Sequence, residues 1–231
     1  MDRIRSPHTA TRRTEPKMRE RAIAAMRDAV SDGKAASVTE IAHRDRDPFR
    51  ILISTILSLR TKDEVTSAAS ERLFRLAQTP GALAVLTPRT IERAIYPVGF
   101  YRTKARTVRE TARRLEKEFG GRVPDTIEEL LTFKGVGRKT AALVVSLGYA
   151  REAICVDTHV HRISNRLGWV DTRTPEQTER ALMIVLPRRH WIGINDTMVS
   201  FGQRVCMPVS PRCSACPLHA YCPRRGVTRH R

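Results

Sequence analysis

Three groups of residues in this chain have side chains and spacings suited to chemistry. Lys139 follows Gly135-Val136-Gly137-Arg138 and stands just before an apolar stretch that begins at Ala141. A neutral lysine amine is a nucleophile, and attack on a sugar C1′ gives a Schiff base. Such an attack needs a carboxylate close by. Asp157, in Cys155-Val156-Asp157-Thr158-His159-Val160-His161-Arg162, is the candidate. Cys206, Cys213, Cys216 and Cys222 form the array C-x6-C-x2-C-x5-C. Four thiolates in so short a stretch can surround one metal centre. The spacing suits a zinc ion or a [4Fe–4S] cluster equally.

Each group also has a plainer reading. Most lysines are solvated surface residues. Asp157 precedes an apolar periodicity (Val160, Ile163, Leu167), where an aspartate is an ordinary helix N-cap. His159 and His161 fit as polar surface or cap residues. A Gly-x-Gly between two helices is a common turn. The surroundings of Lys139 favour the chemical reading, because a helix N-terminus and adjacent Arg138 both disfavour an ammonium.

These residues need elements to position them, and the chain reads as almost wholly helical. A helix is predicted from about Met18 to Val30, stopping near Gly33. Asp47-Pro48 opens a helix through Ile51, Leu52, Ile56 and Leu59 that is apolar all round and therefore buried. Arg102–Phe119 places Ala105, Val108, Ala112, Leu115 and Phe119 on one face, with Lys104, Arg106, Arg109 and Arg113 elsewhere on its surface. Gly120-Gly121 ends it. Pro124-Asp125 followed by Glu128 predicts a capped helix start, and Thr174-Pro175 followed by Gln177 predicts another. Pro187 closes that helix, and a further one from about Asn195 leads to Cys206. Between Leu131 and Ala141 a helix ends, Gly135-Val136-Gly137 turns and a second helix begins. The free N–H groups of that second start form a phosphate site that reads no bases. Lys134 and Arg138 flank it. Residues 1–17 mix charge, proline and threonine without periodicity and read as a disordered basic arm. Residues 226–231 form a basic tail.

The composition points the same way. The chain has 231 residues, 41% hydrophobic and 29% charged, with a formal net charge of +18. The first two values are those of a globular protein with a real core. The charge is too large for a merely solvated surface and calls for a polyanionic partner, nucleic acid ahead of an anionic membrane. The stretches Ile51–Leu59 and Ala141–Tyr149 are far short of the roughly 20 apolar residues of a membrane span. No apolar signal region is visible at the N-terminus. Only Cys155 lies outside the cysteine array, so the cysteines are no disulfide framework and suit a reducing cytosol.

Taken in order, Gly135-Val136-Gly137-Arg138-Lys139-Thr140-Ala141, Val156-Asp157-Thr158-His159 and C-x6-C-x2-C-x5-C resemble the endonuclease III family of helix–hairpin–helix DNA glycosylases and abasic-site lyases. The resemblance covers roughly residues 18–225. It implies an all-α fold of two helical domains, with a six-helix domain over 41–150 that holds the hairpin. Residues 18–40 and 151–225 would form the second domain, carrying a [4Fe–4S] cluster on the four cysteines. It implies that Lys139 is the Schiff-base nucleophile and Asp157 the catalytic carboxylate. Oxidised pyrimidines in duplex DNA would be extruded, removed, and the strand then cut by β-elimination. The enzyme would act as a monomer on damaged or abasic duplex DNA, in the cytoplasm and on the nucleoid.

By the same resemblance Gly135, Val136, Gly137, Arg138 and Lys134 would contact DNA. Phe100, in Val98-Gly99-Phe100-Tyr101, would fill the gap left by the flipped base, and His159 would face the extruded nucleotide. Arg60 stands where the family commonly has a glutamine that enters the duplex, which puts lesion and opposite-base preference in doubt. Phe133-Lys134 replaces a more usual Leu-Pro. Two other functions compete with this one. A monofunctional mismatch thymine or uracil glycosylase would lack a lysine at position 139. A non-catalytic hairpin module, with or without a zinc or redox centre, would not need Lys139 and Asp157.

Overall fold

The computed structural model describes residues 16–31 and 37–231. Among these residues there is no strand. Helices α1 (Pro16–Asp28), α2 (Ser37–Asp45), α3 (Pro48–Ser58), α4 (Asp63–Leu76), α5 (Pro80–Val85) and α6 (Pro88–Ile95) come first. Then follow α7 (Tyr101–Phe119), α8 (Ile127–Leu131), α9 (Arg138–Leu143), α10 (Thr158–Arg166), α11 (Pro175–Val185) and α12 (Ile194–Arg204). The predicted basic arm lies outside the described residues except for Pro16 and Lys17, which begin α1; Gly33 also lies outside them.

Local chemistry accounts for several helix starts. Asp47 caps α3 by accepting the Phe49 N–H at 2.8 Å, with Pro48 as the first helical residue. Thr79, Thr87 and Thr174 cap α5, α6 and α11 in the same way, each followed by proline. The predicted start at Asp125 with Glu128 falls one residue early. Thr126 caps α8 by accepting from the Glu129 N–H, and its hydroxyl donates to the Glu129 carboxylate at 2.6 Å. Asp125 is instead engaged by Arg151.

Two apolar cores organise the helices. The first gathers side chains from α2 to α9 around α3, whose Phe49 and Ile51 through Leu57 are all buried. There α7 packs on α5 and α6, and α3 on α4 and α9. The second core joins α1 to α10, α11 and α12 through Ile23, Met26, Ile163, Leu182, Met198 and Phe201. The chain passes from the first core to the second through residues 150–157. Helix α9 runs on into a π-helical turn, Val144–Gly148, whose first residues are buried in the first core. Gly148 lets that turn lie against the start of α3, since a Cβ there would stand 3.1 Å from Pro48. No described helix is long and apolar enough to cross a membrane.

Candidate active site

The hairpin between α8 and α9 is built so that its backbone faces outward. Gly135 has φ +79°, a left-handed conformation that suits glycine. Val136 is buried in the first core and anchors the turn, while Gly135 and Gly137 are exposed. Gly137 has φ −96°, and a Cβ added to it would touch nothing in the protein. No internal contact demands glycine there, so the position is free for close approach by a ligand. No side chain caps the α9 N-terminus, leaving its positive end open to an anion.

Lys139 is the second residue of α9, its side chain 46% exposed. Its Nζ stands 3.9 Å from Asp157 Oδ2. Asp157 is the N-cap of α10, and its Oδ1 accepts the His159 and Val160 N–H groups at 2.9 Å each. The geometry leaves room for both the capping and the chemical reading of Asp157. One oxygen fixes the carboxylate to α10, and the other faces the lysine. The Asp157 side chain is only 8% exposed, so the pair joins an open amine to a sheltered, anchored carboxylate. Lys139 stands on the hairpin of the first core and Asp157 at the edge of the second.

The other expected residues divide into those facing this pair and those turned elsewhere. His159 is half-buried beside Asp157, with Nδ1 3.2 Å from Arg162 Nη2. Burial lowers its pKa, against the opposing pull of Asp157. A Cβ on Gly202 would lie 2.3 Å from this ring, so any larger residue there would have to displace it. His161 points away and meets Thr178 of α11 at 2.6 Å. Arg138 is engaged within the protein, donating to both Glu179 oxygens at 2.6 and 2.9 Å. The Glu179 side chain is only 4% exposed, so this fork ties the hairpin to α11. The hydrogen bond with Glu179 raises the Arg138 pKa. Lys134 is exposed on the turn.

Arg60 and Phe100 come from separate loops and meet. Phe100 is 64% exposed, and the Arg60 guanidinium carbon lies 5.9 Å from its ring centre. Both residues have positive φ, +53° and +58°. Sequence reasoning missed what holds them. Lys104, expected on the α7 surface, is buried and donates to three oxygens beneath these loops. Only its place beside the apolar face (Ala105, Val108) could have hinted at this.

Cys206, Cys213, Cys216 and Cys222 line one cavity of about 30 Å³, walled by Ile163, Phe201 and Leu218. Arg166 donates to Cys206 Sγ at 3.4 Å, and the Leu218 N–H to Cys216 Sγ at 3.4 Å. Burial raises the thiol pKa of Cys213, Cys216 (to about 11) and Cys222. Coordination to a metal offsets the cost of ionising a buried thiol, and N–H donors to sulfur suit thiolate ligands. The residues thus fit a metal centre. No three His, Cys, Asp or Glu side chains among the described residues are grouped as a single ion requires. Cys155 lies apart, buried, with its sulfur 3.7 Å from the Lys139 carbonyl oxygen.

Comparison with known proteins gives the chain's relatives. A family model described as "HhH-GPD superfamily base excision DNA repair protein" matches residues 53–188. Endonuclease III of Thermotoga maritima is 52% identical over 187 residues, covering 80% of this chain and 88% of the relative. Endonuclease III of Bacillus subtilis is 33% identical over 205 residues, covering 87% and 91%. The solved structure of a trapped endonuclease III–DNA covalent intermediate aligns with a TM-score of 0.78 at 32% identity. It covers 90% of this chain and 96% of that one.

Proposed function

Because the chain belongs to the HhH-GPD superfamily of base excision DNA repair proteins and, within it, to endonuclease III, we propose that Lys139 and Asp157 carry its glycosylase and abasic-site lyase chemistry. The observation that bears most weight is the open Lys139 amine 3.9 Å from an anchored carboxylate, beside an outward-facing hairpin.

The protein removes damaged bases from duplex DNA and cuts the resulting site; oxidised pyrimidines are the substrate class proposed. The hairpin amides and the α9 N-terminus take a phosphate of the damaged strand, with Lys134 beside them. Phe100 and Arg60 enter the duplex where the damaged nucleotide leaves it. His159, next to Asp157, faces the extruded nucleotide. The Lys139 amine then forms a bond to C1′ as the C1′–N bond to the base breaks. Asp157 accepts a proton from the attacking amine and offsets positive charge developing on the sugar. Ring opening gives the Schiff base. Loss of a C2′ proton and of the 3′ phosphate cuts the strand, and water releases the enzyme. Arg138, forked to Glu179 and 41% exposed on its side chain, is proposed as a further contact to the DNA backbone.

Cys206, Cys213, Cys216 and Cys222 would hold a [4Fe–4S] cluster. Four cysteine sulfurs lining one cavity, in a chain of the endonuclease III family, support this assignment. Such a group would tie down the proline-rich loop rather than take part in base removal.

The test is single-turnover cleavage of a duplex bearing one thymine glycol, with wild type and Asp157→Asn. Base release coupled to a nick, slowed on the order of 100-fold or more in the variant, is expected. Base release without a nick would favour a monofunctional glycosylase. An Asp157→Asn protein that cuts normally and only melts earlier would leave Asp157 as a cap alone.

A further inference from the structure

The Lys104 side chain runs from α7 into the space beneath two loops. Its ammonium donates to Leu57 O at 2.7 Å, to Leu59 O, and to Thr61 Oγ1 at 3.0 Å. A lysine has three donors and no acceptor, and here all three are used. Leu57 O lies in the last turn of α3, where carbonyls lack helical partners and a cation is favoured. Thr61 Oγ1 in turn accepts the Gly99 N–H at 3.2 Å. The two loops also touch directly, since a Cβ on Gly99 would stand 2.7 Å from the Arg60 carbonyl oxygen. Lys104, Thr61 and Gly99 therefore stitch the segment after α3 to the segment before α7.

Each stitched segment carries one non-glycine residue in the left-handed region, Arg60 and Phe100. Side-chain-bearing residues rarely adopt it, and it persists only where the surroundings over-determine the backbone. The stitch supplies that constraint. Its outcome is an exposed Phe100 ring with the Arg60 guanidinium beside it. A wedge that enters stacked DNA works best when already ordered, because ordering on binding costs affinity.

We propose that Lys104 is a positioning residue for base extrusion, clamping both loops so that Arg60 and Phe100 enter the duplex as one preformed wedge. This rests on the wedge reading of those two residues given above. Lys104 does not act as a nucleophile: it is 7% exposed and fully engaged by neutral acceptors. Burial lowers its pKa to about 8, which leaves it mostly protonated at neutral pH and able to make all three bonds.

The experiment compares one oxidised pyrimidine in two settings, paired in a duplex and unpaired in a bubble, where extrusion is already done. Wild type, Lys104→Met, Thr61→Val and Phe100→Ala are assayed by single-turnover cleavage, with folding checked by circular dichroism. Lys104→Met and Thr61→Val are expected to lose on the order of tenfold to 100-fold on the paired lesion and less than about threefold on the bubble. Equal loss on both DNAs, or none on either, would overturn the proposal. Thr61→Val keeps the two carbonyl contacts of Lys104 and decides alone, by the same ratio, if Lys104→Met fails to fold. If Phe100→Ala slows both DNAs alike, the wedge reading fails and takes the proposal with it. If Phe100→Ala is selective for paired DNA while Lys104→Met and Thr61→Val are not, the wedge stands and only the Lys104 assignment falls.

Discussion

The two cores are closed by different means. The first is sealed by apolar side chains on regular helices, with α3 buried along nearly its whole length. The second has a helical part, but beyond α12 the chain runs to Arg231 with no further helix. Polar ties hold that stretch. Arg162 donates to Cys206 O at 2.8 Å, and Arg166 to Met207 O and Pro208 O at 2.7 and 2.8 Å. The Ser214 N–H reaches Arg231 O at 2.9 Å, and the Arg231 N–H reaches Pro211 O at 2.8 Å. Helices that bury an apolar face need no other fastening, whereas an irregular stretch must pair its backbone one group at a time. The cysteine cavity lies where those ties converge. Since Lys139 is rooted in the first core and Asp157 at the edge of the second, the proposed catalytic pair is only as well aligned as the weaker side.

The contrast can be broken on its weaker side first. Both tryptophans, Trp169 and Trp191, lie in the second core, so their fluorescence reports on that core alone. Replacing Cys213 and Cys216 together with alanine should produce the largest effect. Tryptophan fluorescence should take on an unfolded character while much of the helical circular dichroism remains. A variant with unchanged fluorescence and melting would show that the cavity fastens nothing. Leu52→Ala, in the middle of α3, removes a fully buried side chain from the first core. It should lower stability by about 2–5 kcal/mol, measured by urea denaturation; a loss below about 1 kcal/mol would mean the first core is loosely packed. Gly202→Ala should cost less, about 1–3 kcal/mol, because the new methyl group collides with a ring that can shift. It should also slow cleavage by displacing His159 next to Asp157. Unaltered cleavage with reduced stability would separate His159 from the reaction.

Much of this organisation was legible in the sequence, for reasons that differ by residue. Short-range rules worked wherever cap and helix adjoin, as at Asp47-Pro48 and Thr174-Pro175. The same threonine–proline signature at Thr79-Pro80 and Thr87-Pro88 marks α5 and α6, and went unread there. At Asp125 two candidate caps adjoin, and the structure uses Thr126 while Asp125 pairs with the distant Arg151. The hairpin and the cysteine array are local patterns and could be read directly. The Arg138–Glu179 fork joins residues 41 apart, and the Lys104 bonds join residues 43 to 47 apart. No periodicity announces such pairs, because helix packing alone brings them together. That is why Lys104 reads as one more basic residue on an amphipathic helix.

Borohydride trapping on an abasic duplex, with wild type and Lys139→Gln side by side, tests the central claim most directly. A wild-type covalent adduct whose DNA-bearing peptide maps to Lys139 is predicted, with no adduct from a Lys139→Gln protein that still binds the DNA. An adduct in that variant, or one that maps to Lys104, would contradict the account.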